Sequence, residues 1–581
     1  MRRPTPARGS VFAALAAVAA LGCSDLDTLW ERATQPPDAA APIDAEALSL
    51  PRDPSVAPRA DDDAGGSALE PEPEPELPDA GSVDAPDAAA PDAAAPDAAT
   101  TDATSDASAP DASASDADTA DVTVVPDAPA PVTITALGWR TAVVEAPRAN
   151  ARWVGYLRAG GPVAVLRGPV GHAGCPARRG VAGAGWYEVE GGGYVCVGPL
   201  AVLSASLAEH PIASRLPDPP DLAAAMPFAY GRANRATPVF RRLPSADDLR
   251  AFEAGRLNAP AAPTAAPAGS PPRLEDLLGA PGSALQRRLL PGMYVSLHRE
   301  SRADDGASYW HTQTGGYVRA SSLSPLRPAA QFEGVALDGE RHLPLAFVAG
   351  ASATTYRASG RTMTPAGRVW HHAIVQLVDE PAVTLAGEAY HRTADGTFVR
   401  ARQVRVVARR EPPADLGADD EKWIDVNLDR QSVVAYEGAR PVYASVVSTG
   451  RRDRANPAQN YETIQGGFRI LSKHVATTMD GNSANDGPYS IDDVPWVMYF
   501  DGSFALHGAF WHNGFGATHS HGCVNMSPPD ARWFYHWTEP HVPAGWSGFY
   551  ADAQHPGTRV YVHYDDQRLG ERGGPARVPQ H

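Results

Sequence analysis

Three short segments of this chain each close a glycine-containing turn on an aromatic residue followed by valine. They are Tyr187-Glu188-Val189-Glu190-Gly191-Gly192-Gly193-Tyr194-Val195, Trp310-His311-Thr312-Gln313-Thr314-Gly315-Gly316-Tyr317-Val318 and His391-Arg392-Thr393-Ala394-Asp395-Gly396-Thr397-Phe398-Val399. Glycine enters the positive-φ backbone of a tight hairpin without a steric penalty, so each segment predicts a β-hairpin whose aromatic residue packs a small core. An aromatic anchor strand precedes each one: Val154–Ala159, Phe228–Ala233 and Leu345–Gly350. A hairpin-plus-anchor unit recurring three times, with Gly and Pro between short β-type runs, confines this part of the chain to small β modules.

The repeat resembles the bacterial Src-homology-3-like small barrel, a module often found beside cell-wall enzymes. Three such modules are expected at 132–205, 206–327 and 328–412, with the Pro/Ala-rich stretch Asn258–Pro272 as a long loop inserted in the second. The resemblance implies wall binding or positioning of a neighbouring active site.

Upstream the texture is different. Residues 24–130 are dominated by Pro, Asp, Ala, Ser and Thr, and carry 26 Asp and Glu against 3 Arg. So few apolar groups under such dense like charge cannot offset chain entropy, which predicts a disordered tether. The tether accounts for the formal net charge of −18, and the rest of the chain is close to neutral, so nothing points to nucleic acid.

The first 22 residues read as an export signal: Arg2, Arg3 and Arg8, an apolar run from Val11 to Leu21, then small residues. That run is too short for a permanent bilayer span. Ala20-Leu21-Gly22-Cys23 resembles a bacterial lipobox, with Ala20 where Leu, Val or Ile is usual. The resemblance implies lipidation of Cys23, a linker over 23–131 and a periplasm-facing lipoprotein; Ser24 after the cysteine points to the outer membrane.

The chain has 4 cysteines. Cys23 is assigned to lipid. Cys175 and Cys196 share one Gly-rich module, where an oxidising compartment favours a disulfide. Cys523 is left without a partner, and catalysis is the best use for it.

The last domain is expected over 420–565, with 566–581 as a disordered tail. Trp423–Leu428 alternates with period two, as does the Val433–Tyr436 region; Val442–Gly450, Val497–Leu506 and Thr558–Tyr564 are further predicted strands. A helix is predicted over Pro529–Trp537, capped by Ser527 or Asp530. Cys523 lies in Ser520-His521-Gly522-Cys523-Val524-Asn525, with His507-Gly508 upstream. Thiolate is the reactive form of cysteine, and an imidazole within reach supplies the base, so a Cys-His acyl-transfer site follows. Backbone amides around Gly522 and Cys523 are candidates for an oxyanion hole. The histidines at 507, 512, 519 and 521 have no second cysteine and no metal-type spacing, so neither a metal nor a cofactor is expected. His512 is set outside the catalytic group, and Lys473, Trp496 and Tyr499 are taken as structural.

His507-Gly508, Phe515-Gly516, Ser520–Asn525 and Asp530-Ala531 together resemble the L,D-transpeptidase catalytic domain, a peptidoglycan cross-linking family. Ile424–Leu428, Val447–Gly450 and Gly467–Ile470 agree with it over roughly 140 residues. The resemblance implies a mainly β chain ending in a β-sandwich, and an enzyme acting on peptidoglycan stem peptides. Cys523 would be the nucleophile and His507 the proton donor and acceptor. His521, Ser520 and Gly522 would support the site, and Asn525 would contact substrate. The thioester would pass to a stem amine, to water or to a protein lysine. From another class, a catalytically silent wall-binding lipoprotein is opposed by the intact motif.

Overall fold

The structure is a computed structural model that describes residues 131–176, 181–258, 272–326, 332–453, 460–483 and 487–565. The export signal, Cys23, the acidic linker, most of the inserted loop and the tail lie outside the described residues.

Each anticipated hairpin forms. Gly185–Val189 pairs antiparallel with Tyr194–Val197, Ser308–Thr312 with Tyr317–Arg319, and Glu388–Arg392 with Phe398–Arg400. Their packing divides between two faces. Val195, Val318 and Val399 are wholly buried, whereas Tyr194, Tyr317 and Phe398 are half-buried. Successive strand residues point to opposite faces. With valine committed to one face, the aromatic before it lies on the other, where Tyr194 and Tyr317 pack against smaller hydrophobic clusters. The anchor strands form at Trp153–Leu157, Ala229–Ala233 and Leu345–Val348.

In the C-terminal domain we number the strands β1 (Lys422–Asn427), β2 (Ser432–Glu437), β3 (Arg440–Val446), β4 (Gly466–Arg469), β5 (Ser472–Ser483), β6 (Gly487–Asp501), β7 (Phe504–Gly508), β8 (Val524–Met526), β9 (Gly548–Tyr550) and β10 (Arg559–His563). One sheet has the order β3-β2-β1-β10-β4, with β1 and β10 parallel. The second runs β9-β5-β6-β7-β8, with β7 and β8 parallel. Between them lie Ile424, Val426, Val433, Met498, Leu506, Val524, Met526 and Val560. Helix α1 (Pro528–Trp537) starts at Ser527, whose side chain accepts from the Asp530 amide, and adds Phe534 and Tyr535 to this core.

Two predicted strands are shorter than expected. Val497–Leu506 is broken at Asp501, and the chain turns through Gly502 and Ser503 into β7. Gly502 has φ +46, which a continuous strand does not tolerate. The strand from Val442 ends at Val446, and Val447–Gly450 runs on through isolated bridges from Ser448 to Asn525 and from Gly450 to Ser520.

The described residues belong to one unit, and the modules pack directly on the sandwich. Trp423, Val434 and Tyr436, on the outer face of β1 and β2, share a core with Leu345, Phe347 and Val407 of the third module. The first module extends the second sheet, with Gly155 opposite Phe549 of β9. Burial on both faces explains why β1 is buried from Trp423 through Asn427.

Candidate active site

The site is built by two parallel strands in register: Leu506 opposite Val524, His507 opposite Asn525 and Gly508 opposite Met526. Alternation sends Leu506, Val524 and Met526 into the sandwich core. His507, Asn525 and, two residues earlier, Cys523 therefore share the other face. There Cys523 packs in a small cluster with Ala505, Val497, Tyr499, Ile491 and Trp511.

That cluster sets the electrostatics. Burial pushes the Cys523 thiol up from 9.0 to about 11, and its hydrogen bond with the Ala505 backbone only partly offsets this. Its Sγ also lies 3.5 Å from the Ser503 carbonyl oxygen. Burial pulls the His507 imidazole down from 6.5 to about 4. Both groups are thus neutral at pH 7. His507 Nδ1 is 3.2 Å from the Gly508 carbonyl, to which it must donate, leaving Nε2 as the basic nitrogen.

The turn carrying the cysteine is fixed by hydroxyls. Ser520 Oγ donates to the Cys523 carbonyl at 2.5 Å and accepts from the Gly522 amide at 3.1 Å. Thr463 Oγ1 donates to the Gly522 carbonyl at 2.7 Å and accepts from the Gly450 amide at 2.8 Å. The Gly522 amide is thereby bonded to Ser520. In the peptide plane between Gly522 and Cys523 the carbonyl is held at Thr463, so a trans peptide sends the Cys523 N–H the opposite way. Gly522 has φ +131, and a Cβ there would come within 2.9 Å of the Phe504 ring.

The remaining residues singled out in the sequence surround this turn. His521 is exposed; it accepts from Arg451 at 3.0 Å and stacks on Tyr489 with ring centroids 5.4 Å apart. The Asn525 side-chain nitrogen lies 3.0 Å from His512 Nε2. His512 is thus tied to the site although sequence pattern set it aside. The His512 and His519 rings are 4.3 Å apart, and burial pulls His512 down to about 3. Among the described residues no group of three or more His, Cys, Asp or Glu is arranged to hold a metal. Cys175 and Cys196 are joined in a disulfide away from this site.

Sequence pattern passed over Tyr489 and Arg451 and took Tyr499 as structural, whereas Tyr499 packs in the cluster that holds Cys523. Tyr489 stacks on His521, two residues from Cys523, and burial raises the phenols of both Tyr489 and Tyr499. No motif marks them, because their proximity depends on the fold of β6.

Residues 421–562 match the family model described as the L,D-transpeptidase catalytic domain, YkuD. That span takes in both strands of the site and all of the sandwich but the last residue of β10. Among solved structures, the L,D-transpeptidase of Xylanimonas cellulosilytica is 22% identical over 26% of this chain and 64% of its own, with a TM-score of 0.18. The catalytic domain of the Enterococcus faecium enzyme is 22% identical over 25% of this chain and 100% of its own, with a TM-score of 0.19. The Mycobacterium smegmatis enzyme is 16% identical over 32% and 99%, with a TM-score of 0.19. Whole-chain scores this low assign nothing to individual residues. No curated protein matches.

Proposed function

We propose that the C-terminal domain is an L,D-transpeptidase that cross-links peptidoglycan stem peptides through a thioester on Cys523. The observation that carries this is the register of β7 and β8, which sets a neutral imidazole and a neutral thiol on one buried face within a domain that matches the family model. His507 Nε2 takes the thiol proton as sulfur attacks the carbonyl before the terminal D-Ala. The C–N bond breaks, and His507 returns the proton to the departing D-Ala amine. An acceptor amine then attacks the thioester, its proton passes through His507 to the sulfur, and the thiol is restored. The Cys523 amide stabilises the oxyanion in both halves. In this scheme Ser520 and His521 hold the turn and Asn525 contacts the stem. Lipid on Cys23 would tether the enzyme to the outer membrane, which palmitate labelling of wild type and Cys23→Ala tests.

The defining experiment incubates the chain from residue 132 onward with disaccharide-tetrapeptides and reads products by mass spectrometry. Cross-linked dimer with release of D-Ala is expected. Loss of D-Ala without dimer would assign the second half-reaction to water, and adducts on a protein lysine would assign it to wall attachment. Equal turnover by Cys523→Ala would overturn the scheme.

A further inference from the structure

β6, which brings Tyr499 into the cluster around Cys523 and Tyr489 onto His521, is not a regular strand. Asp493 and Trp496 both have left-handed backbone, with φ +52 and φ +57. Non-glycine residues hold this conformation only where their surroundings over-determine it. At Asp493 those surroundings come from the two upstream modules. Arg158, of the first, forms a bidentate pair with its carboxylate, with one contact at 2.8 Å. Ser296, of the second, donates to the same carboxylate, and Tyr230 donates to the Asp493 carbonyl at 2.7 Å. Both members of the Arg158–Asp493 pair are almost wholly removed from water.

The arginine is itself held. Its guanidinium lies 3.9 Å from the Trp139 ring centre on the first module and 4.8 Å from that of Phe228 on the second. The adjacent Asp492 takes Arg287 at 2.7 and 2.8 Å, and Trp496 Nε1 donates to the Ala225 carbonyl at 2.6 Å. Four residues before Asp493, Tyr489 stacks on His521. Six residues after it, Tyr499 stands opposite Ala505, the residue whose backbone bonds the Cys523 thiol.

We propose that Arg158 is a positioning residue for Cys523, acting through Asp493 to set the bend of β6 that places Tyr499 beside the thiol and Tyr489 on His521 of the cysteine turn. The upstream modules are then part of the active site's construction, beyond any role in wall binding. The catalytic consequence rests on the acyl transfer proposed above; the geometric consequence does not.

The test uses the full chain with Arg158→Gln, Arg158→Lys and the double variant Arg158→Met with Asp493→Leu, which buries no unpaired charge. Two quantities are read on protein that retains its cooperative thermal transition: the rate of Cys523 alkylation by iodoacetamide, and kcat and KM for D-Ala release. The expected result is an altered alkylation rate and a kcat lowered about 10- to 100-fold with KM little changed, as for misplaced reacting groups. Arg158→Lys recovers part of the loss, since lysine restores the charge without the fork. If Arg158→Gln does not fold, the double variant is judged by the same measures. A folded variant with wild-type alkylation and wild-type kcat overturns the proposal. If even wild type releases no D-Ala, the acyl-transfer scheme fails, and alkylation alone decides the positioning role.

Discussion

His507 stands opposite Asn525 in the parallel pairing of β7 with β8, so Cys523 lies two residues back on the same face, one strand across. A parallel pair holds this offset rigidly, because its register is fixed by the packing of Leu506, Val524 and Met526 on the other side. Cys523→Ala is expected to abolish D-Ala release while leaving the melting temperature close to wild type. His507→Gln keeps a buried polar ring-sized group but removes the base, and should lower kcat by about 10²–10⁴-fold. Steady-state D-Ala release checks both.

The pH behaviour follows from two neutral partners. A preformed thiolate–imidazolium pair would give alkylation that levels off near pH 6 to 7. Here the thiol is pushed up to about 11 and His507 down to about 4. Iodoacetamide alkylation of Cys523 should therefore keep rising with pH through 7, 8 and 9. A plateau below pH 8 would contradict the neutral resting state. Stability carries the matching signs. Between pH 4 and 6.5 the unfolded chain binds a proton at His507 that the folded chain excludes, so this contribution rises with pH. Between about 9 and 11 the folded chain keeps the Cys523 proton that the unfolded chain has lost, so that contribution falls with pH.

Gly522→Ala is the sharpest backbone test. The substitution puts a side chain at φ +131, with its Cβ only 2.9 Å from Phe504 Cε1. A backbone conformation this rare costs about 1–3 kcal/mol by itself, and the clash pushes the turn away from the Ser520 and Thr463 hydroxyls that orient it. Urea denaturation should show a loss of that size. D-Ala release should fall further than the stability loss explains, since the Cys523 amide moves with the turn.

The motif Ser520–Asn525 and His507 were legible because they are local: a glycine, a thiol and an imidazole in short sequence reach. The hairpins were legible for the same reason, their glycines marking the turns. The inward and outward assignment was not. Val318 and Tyr317 are both apolar, and only the packing of the module decides which is buried. The break at Gly502 was legible but overridden: Asp501-Gly502 is a hairpin-turn pair, and the apolar residues on either side of it made Val497–Leu506 read as one strand. Arg158 could not be found from sequence at all. Its partner lies 335 positions away, and no pattern ties an arginine in a small β module to an aspartate in the sandwich.

Lys473 offers a stability test at a place sequence reading treated as structural. Its side chain is wholly buried, and Nζ donates to the carbonyls of Tyr535 at 2.6 Å and Thr538 at 2.7 Å. These are among the carbonyls that α1 leaves unpaired at its C-terminal end, where a cation is favoured. Burial nevertheless pulls the amine down from 10.5 to about 7. Lys473→Met fills much of the same space but strands two acceptors, at a cost of about 1–3 kcal/mol for each buried group left unsatisfied. The sign of the pH effect separates this site from a simple packing loss. Between pH 7 and 10.5 the unfolded chain holds a proton on Lys473 that the folded chain has released, so the wild type gains stability with rising pH and the methionine variant does not. Urea melts of both proteins at pH 7, 8 and 9 should show their difference widening, by at most about 1.4 kcal/mol per pH unit. A gap that stays constant across that range would mean the amine keeps its ordinary affinity for the proton, and that charge on Lys473 holds the end of α1 throughout.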